Sequence, residues 1–501
     1  VPKANTPKQK DVARHGKPKI FSNRRNQRPE REGFAAMSAS TLPARPLKKD
    51  ALGPLELLAQ NIALISPTMT AALIVPVMFS NTGDWSWLSY ALGTVMLIFV
   101  ALNLNQFASR FAGSGSMYQY ISRSLGNTAG GIGGWSLIWA YLGISVAGAT
   151  GFTVFASTLL GMVGINHVPP VILFAVCVGI SGFCAWKNVA LSAKLILILE
   201  GISVTLITIL CFIALGSKGF AIDATQVNVS TIPYSSLGLG VVVAIFSLVG
   251  FESATAFGDE ARNPLKAIPR AVILSLLLSG AFFVFVTYVE VQITHGYSTT
   301  LDQIAAPLNV MAGLVHMPYL AAPLSACAMV SFFALNLSCL NSGARIIYVM
   351  GKQGLFHRAT TDSHHKNETP HVCVIVMSAI SFTAPSYFSL TGMDPLDIFN
   401  DAGTLAAFGF LVPYILVSVG APIFVKSLGQ LKPVHWILAA ASLALLIIPT
   451  VGSVYPVPPA PVKYYPYLFV AYLIVGGAWI VIQHRRMLIA SRGFPELAQD
   501  A

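Results

Sequence analysis

Apolar runs close to 20 residues long recur down this chain, twelve of them between residues 55 and 484. A helix rising 1.5 Å per residue needs about 20 residues to cross the ~30 Å hydrocarbon core of a bilayer. Inside lipid, a spanning segment of that length must satisfy its own backbone hydrogen bonds, which makes it a helix. Charged residues make up only 10% of the chain, against about 25% in soluble domains. The expected fold class is an all-α polytopic membrane protein.

The spacing predicts spans at about 55–79, 86–109, 129–163, 169–187, 190–215, 235–258, 269–294, 321–351, 372–391, 397–425, 433–453 and 464–484. The third and eighth exceed what the bilayer needs, so they are expected to tilt or project. With the N-terminus inside, the inner loops, the termini and the inner ends of the adjoining spans hold 29 of the 31 Lys and Arg, and the outer loops hold only Lys218 and Lys463. Basic residues stay on the cytoplasmic side, so both termini are expected to be cytoplasmic.

Residues 1–49 carry 13 of the basic residues and few large apolar ones. That composition cannot bury a core, so the segment is expected to be a disordered cytoplasmic tail. It reads as a solvated determinant of topology; anionic-lipid or nucleic-acid binding is the alternative, and no nucleic-acid partner is expected. Met37 opens a more natural start, which makes residues 1–36 an expected upstream extension. No short apolar core with a small-residue cleavage site follows the tail, so no secretory signal peptide is expected. The six cysteines fall in or beside apolar runs without a CxxC pair and read as packing residues. His364, His365 and His371 read as part of a solvated loop; no metal and no cofactor are expected.

Two spans are interrupted. The first breaks at Ser66-Pro67-Thr68-Met69-Thr70, with Pro76 beyond. Proline removes a backbone donor and crowds the preceding turn, so this is either a simple kink or an unwound hinge. The sixth carries Ser247–Glu252, with Gly250 and a carboxylate at membrane depth, before a charged loop at Asp259–Arg262. A carboxylate in lipid costs roughly 3 kcal/mol or more, so Glu252 is expected to face protein or water. If spans 1–5 (about 55–215) and 6–10 (about 235–425) are two halves, both breaks fall in the first helix of a half. Paired interruptions of that kind point to a transporter site at the midplane.

Other polar residues lie deep as well. Glu200, two turns below Lys194 in span 5, reads either as a paired structural residue or as a protonatable coupling group. Glu290 is expected at the outer interface. Ser338 and Ser342 share a face of span 8 at i, i+4 spacing. The glycine-rich stretch Phe107–Trp135 lacks a GKS/T signature and a preceding strand, so it reads as an amphipathic or re-entrant segment rather than a phosphate loop.

Three ordered stretches resemble the amino acid–polyamine–organocation (APC) superfamily of secondary transporters. FSLVGFESATAFGDEARNPLKAIPRA is similar to that family's helix 6 and following loop. FASRFAGSGSMYQYISRSLG is similar to the segment joining helices 2 and 3. LNSGARIIYVMGKQGLFHRATT is similar to the end of helix 8, including Arg345 and Gly354. The resemblance covers roughly residues 50–485, with helices 11–12 at about 433–484 and a cytoplasmic C-terminus at 486–501.

The resemblance implies a five-plus-five inverted repeat with helices 1 and 6 unwound. It implies that the backbone at Ser66, Pro67, Thr68, Met69 and Thr70 takes a substrate carboxylate. Carbonyls of Ser247, Leu248, Val249 and Gly250 would take an ammonium group, with Phe246 as a gating side chain and Glu252 in substrate or proton handling. The SPTMT break departs from the glycine-rich break of many members. Near the helix 5 position where some members carry a lysine, this chain has Ser203 or Glu200. The coupling ion stays open: a proton through Glu200 and Glu252, or sodium held by carbonyls with Ser338 and Ser342. The implied activity is a plasma-membrane permease for amino acids or related amines, a symporter or antiporter working by alternating access, and not an enzyme. A transporter-like nutrient sensor is the alternative. A channel would want polar residues repeated along one pore-lining face, which this chain lacks.

Overall fold

A computed structural model describes residues 46–493, apart from Pro233, Ala305, Pro456, Pro458 and Pro459. The expected basic tail up to residue 45, and the C-terminus beyond residue 493, lie outside the described residues. The described chain is helical, with no strand; one parallel bridge pairs Leu52 with Ala261. The helices in chain order are α1 (Pro54–Ile65), α2 (Pro67–Met69), α3 (Val75–Thr82), α4 (Ser86–Ala108), α5 (Ser116–Leu125), α6 (Asn127–Met162), α7 (Pro170–Lys187), α8 (Val189–Ser217), α9 (Tyr234–Leu248), α10 (Pro264–Thr294), α11 (Pro307–Leu314), α12 (Ala321–Lys352), α13 (His371–Leu390), α14 (Pro395–Ser427), α15 (Pro433–Gly452) and α16 (Tyr465–Gly493).

Among the described residues, eleven stretches are long and apolar enough to cross a membrane, against twelve expected. The difference lies in the first, Pro54–Ala108, which is 55 residues long and takes in both of the first two expected spans. At 1.5 Å per residue it would reach roughly 80 Å, more than twice the hydrocarbon thickness. A tight turn at Gly83–Trp85 joins α3 to α4 with no open loop between them. The expected start of the seventh span at residue 269 moves out to Pro264. Proline fits the first helical position because its missing N–H would be unpaired there anyway.

The most apolar stretches of Pro54–Ala108 and of α6 are 83% and 78% buried in protein, against 22% for Val462–Arg486. The first two therefore build the centre, and α16 lies at the rim. α6 can sit there because small residues let it touch its neighbours closely. A Cβ on Gly148 would come within 3.0 Å of the backbone nitrogen of Asn336 in α12. Asn336 anchors a polar hub at that contact. Its Nδ2 donates to the Ser145 carbonyl (2.8 Å) and to Ser381 Oγ (3.1 Å), while Ser181 Oγ donates to its Oδ1 (2.6 Å). One side chain thus joins α6, α7, α12 and α13. Buried polar groups are tolerated when satisfied in this way and costly when not.

Three loop residues, Asp84, Asp223 and His295, gather just past the end of α10. His295 Nε2 lies 2.9 Å from Asp84 and its Nδ1 2.9 Å from Asp223. Gln292 Nε2 donates to the Ala221 carbonyl, and Asp223 N donates to the Tyr288 hydroxyl. Trp87 Nε1 donates to the Gln226 carbonyl. The segment after α8 is thereby strapped to the end of α10 and to the α3–α4 turn. Burial pushes the Asp223 carboxyl up, but hydrogen bonds from Gln226 and Thr225, with His295 beside it, outweigh that and hold it below its ordinary range.

Candidate functional site

The break after α1 is local and has a clear cause. Ser66 takes a left-handed conformation (φ 51°, ψ 73°), and Pro67, which has no N–H, follows it. Beyond α2 the chain widens into a π-helical turn, Thr70–Ile74, where Val75 N donates back to the Thr70 carbonyl. Pro76 sits just after it, and a widened turn is one way a helix accommodates a proline or an inserted residue. All five residues Ser66–Thr70 are buried.

The second break begins where α9 ends at Leu248. Gly250 has φ +99°, a conformation that suits glycine and strains other residues. A Cβ there would lie 2.3 Å from Leu64 Cδ2, so the second break rests on α1 immediately before the first. Asn61 of α1 reinforces the contact: Ala254 N donates to its Oδ1 (2.6 Å), and its Nδ2 donates to Ser275 Oγ of α10 (3.2 Å). Neither Asn61 nor Gln60 stood out in the sequence. Their signal was an amide pair just inside a span that breaks one turn later.

Glu252 folds back into its own break. Its Oε2 accepts from Gly250 N (3.1 Å) and from the Tyr414 hydroxyl of α14 (2.8 Å), and its Oε1 accepts from the Tyr141 hydroxyl of α6 (3.2 Å). The two tyrosines, missed in the sequence reading, tie the break to the helix scaffold. Ser247 shares a 3.2 Å hydrogen bond with the Tyr90 hydroxyl of α4. Phe246, half-buried, projects against Gly403 of α14, where a Cβ would meet its ring at 2.4 Å. Leu248 and Val249 are buried between these contacts.

Glu200 reaches the first break from α8. Ser331 of α12 donates to Glu200 Oε1 and lies 3.2 Å from Ser66 Oγ. Glu200 and Pro67 line one cavity of about 310 Å³ with Ser279 and Phe282 of α10. Ser338 and Ser342 sit elsewhere. Gln60 Nε2 donates to Ser338 Oγ (2.6 Å) and reaches Ser342 Oγ (3.3 Å), while Ser338 Oγ donates back to the Gln60 carbonyl (3.0 Å). Ser342 also bonds Ser253 (2.7 Å). The two serines therefore clamp α12 to α1 and to the segment after the second break.

The charged loop beyond the second break forms a closed end of the bundle. Arg345 of α12 grips Glu260 with two nitrogens, Nη2 donating to Oε1 at 2.8 Å and Nε donating to Oε2, and both side chains are buried. Its Nη1 donates to the Asn341 carbonyl (2.7 Å), and its guanidinium lies 4.4 Å from the Phe257 ring. Leu52 N donates to the Glu260 carbonyl (3.0 Å), and Arg262 N to the Leu52 carbonyl (2.8 Å). Asp259 exchanges two bonds with Ser114, before α5. The segments ahead of α1, ahead of α5 and after α9 are thus locked together against α12.

Comparison with known proteins bears on the family. An amino acid permease family model matches residues 57–499. The low-affinity putrescine importer PlaP of Escherichia coli is 25% identical over 64% of this chain and 71% of its own length. The branched-chain amino acid permease BcaP of Lactococcus lactis is 26% identical over 71% of this chain and 79% of its own. Mouse cationic amino acid transporter 4 is 26% identical over 66% of this chain and 53% of its own. A match running through nearly the whole helical bundle, both breaks included, makes this multi-pass membrane protein a member of the amino acid permease family.

Proposed function

We propose that the chain is a secondary transporter that carries an amino acid or related amine by alternating access around the two helix breaks. The observation that carries this reading is the seating of Gly250 on Leu64, which brings Ser66–Thr70 and Ser247–Gly250 to one place in the bundle. A helix restarting at Pro67 leaves its first amide groups without intrahelical partners, which suits a carboxylate. The end of α9 leaves carbonyls, which suit an ammonium group. The relatives named for putrescine, branched-chain and cationic amino acids support a substrate among amines and amino acids.

We read Pro54–Ala108 as two crossings, twelve in all, arranged as two inverted five-helix halves with both termini inside. Localisation is the plasma membrane. Glu252, held by two tyrosines, and Glu200, linked through Ser331 to Ser66, support coupling to protons. The serine pair Ser338 and Ser342 supports sodium less well, because both hydroxyls already bond α1 or its neighbours.

The test is uptake of radiolabelled amino acids and diamines into vesicles holding the purified protein, with proton, sodium or no gradient imposed. Accumulation driven by a proton gradient is the expected result. Sodium-driven accumulation would move the coupling site to the serines. Specific binding with no uptake under any gradient would replace a transporter by a sensor.

A further inference from the structure

Glu290 lies one turn from the end of α10, at a depth where the sequence suggested an interfacial residue. Instead it is 1% exposed, and neither carboxylate oxygen has a hydrogen-bond partner among the described residues. Its carbonyl accepts from the Thr294 hydroxyl (2.7 Å). Tyr90 of α4 and Cys211 of α8 are the titratable side chains within electrostatic reach. The π-helical turn, α3 and α11, which also pack near α10, carry no ionisable residue, and the short turn Leu301–Gln303, which packs on α10 and α3, carries the exposed Asp302. Beyond the helix end, His295 is already paired with Asp84 and with Asp223.

An ionised carboxylate left in this setting has nothing to offset its desolvation, so the arrangement accommodates the uncharged acid. Unpartnered hydroxyls continue along the same side of α10, at Thr287 and Ser279. At 3.6 residues per turn, positions 279, 287 and 290 fall within an arc of about 80° over about 16 Å of helix. The lower end of that column lines the cavity that holds Glu200, whose second oxygen is also without a partner. Tyr90, on α4, which packs against α10, shares its hydroxyl with Ser247 at the second break.

We propose that Glu290 is a proton-binding site of the transport cycle, loaded from the face that carries Asp84, Asp223 and His295 and linked through Tyr90 to Ser247. The carboxylate takes its proton from water on that face. The neutral acid is then buried, as in this structure, and the proton returns to water when the alternate conformation wets the α10 column. No bond of the substrate is made or broken. The inference rests on the transport reading above.

Two measurements on the full-length protein test it. The first is an infrared difference spectrum of purified protein across an acid–base titration. A protonated-carboxyl carbonyl band present in the wild type, absent in Glu290→Gln and shifted in Tyr90→Phe is expected; a spectrum unchanged by Glu290→Gln overturns the proposal. The second compares gradient-driven accumulation with exchange of labelled for unlabelled substrate in vesicles. Glu290→Gln is expected to lower accumulation by on the order of tenfold more than it lowers exchange, within the range of ordinary coupling energies. Equal losses in both, or a larger loss in exchange, would make Glu290 a partner of the substrate's ammonium group or a packing residue and would overturn the proposal. Should the wild type move no amino acid or amine, the transport reading fails, and the infrared arm still decides whether Glu290 binds a proton.

Discussion

Glu252 shows how a single residue changes meaning between sequence and structure. In the sequence it is an expensive carboxylate next to a glycine. In the structure it is held by Tyr141, Tyr414 and the amide of Gly250. Replacing it with glutamine keeps the shape but turns one acceptor into a donor facing hydroxyls and an amide. Glu252→Gln is therefore expected to abolish or uncouple uptake while membrane insertion stays normal; full accumulation by the variant would remove Glu252 from the mechanism. Arg345 and Glu260 make the contrasting case. Removing one partner of a buried ion pair strands the other, at a cost of about 3–5 kcal/mol. Arg345→Ala is expected to reduce thermal stability by that order, and the exchange of charges in Glu260→Arg with Arg345→Glu to restore part of it. The carboxylates were visible in the sequence because charge at membrane depth is rare. Their partners were not, because tyrosines on α6 and α14 sit more than 100 residues away from Glu252 in the chain.

The elements that matter most are those that depart from regular helix. Both breaks were legible, since Ser-Pro and a glycine beside a carboxylate are local signals. Their meeting was not, because it depends on how α1 and α9 pack. Gly250→Ala tests that packing. The new methyl group would strain a positive φ, costing about 1–3 kcal/mol, and would collide with Leu64. A fall in melting temperature is expected, partly relieved by adding Leu64→Ala, which makes room but leaves the strained backbone. The strap across Asp84, Asp223 and His295 was invisible in the sequence, because its three members belong to three separate loops. Its acid response follows from Asp223. A carboxyl held below its ordinary range when folded adds stability that is complete above its unfolded value, about 3.9, and is lost as pH falls through the lower folded value. Amide exchange in residues 218–232, corrected for its intrinsic pH dependence, should show protection that holds down to about pH 4 and then declines. Asp223→Asn should show the weaker protection throughout.

For the whole molecule, hydrophobic run lengths were enough to give the fold class, because a bilayer leaves a chain few alternatives. The twelve runs they give correspond to eleven long apolar stretches among the described residues, since the tight α3–α4 turn at Gly83–Trp85 joins the first two. The stitch between Leu52 and the Glu260–Arg262 segment has a consequence for kinetics. It joins the strand of chain leading into α1 to the one leaving the second break, and Arg345 holds the same segment from α12. Separation at this end must give up two backbone hydrogen bonds and a desolvated ion pair. The turnover of such a device should have a steep Arrhenius slope, so that modest cooling slows it far more than it slows diffusion of the substrate to the protein.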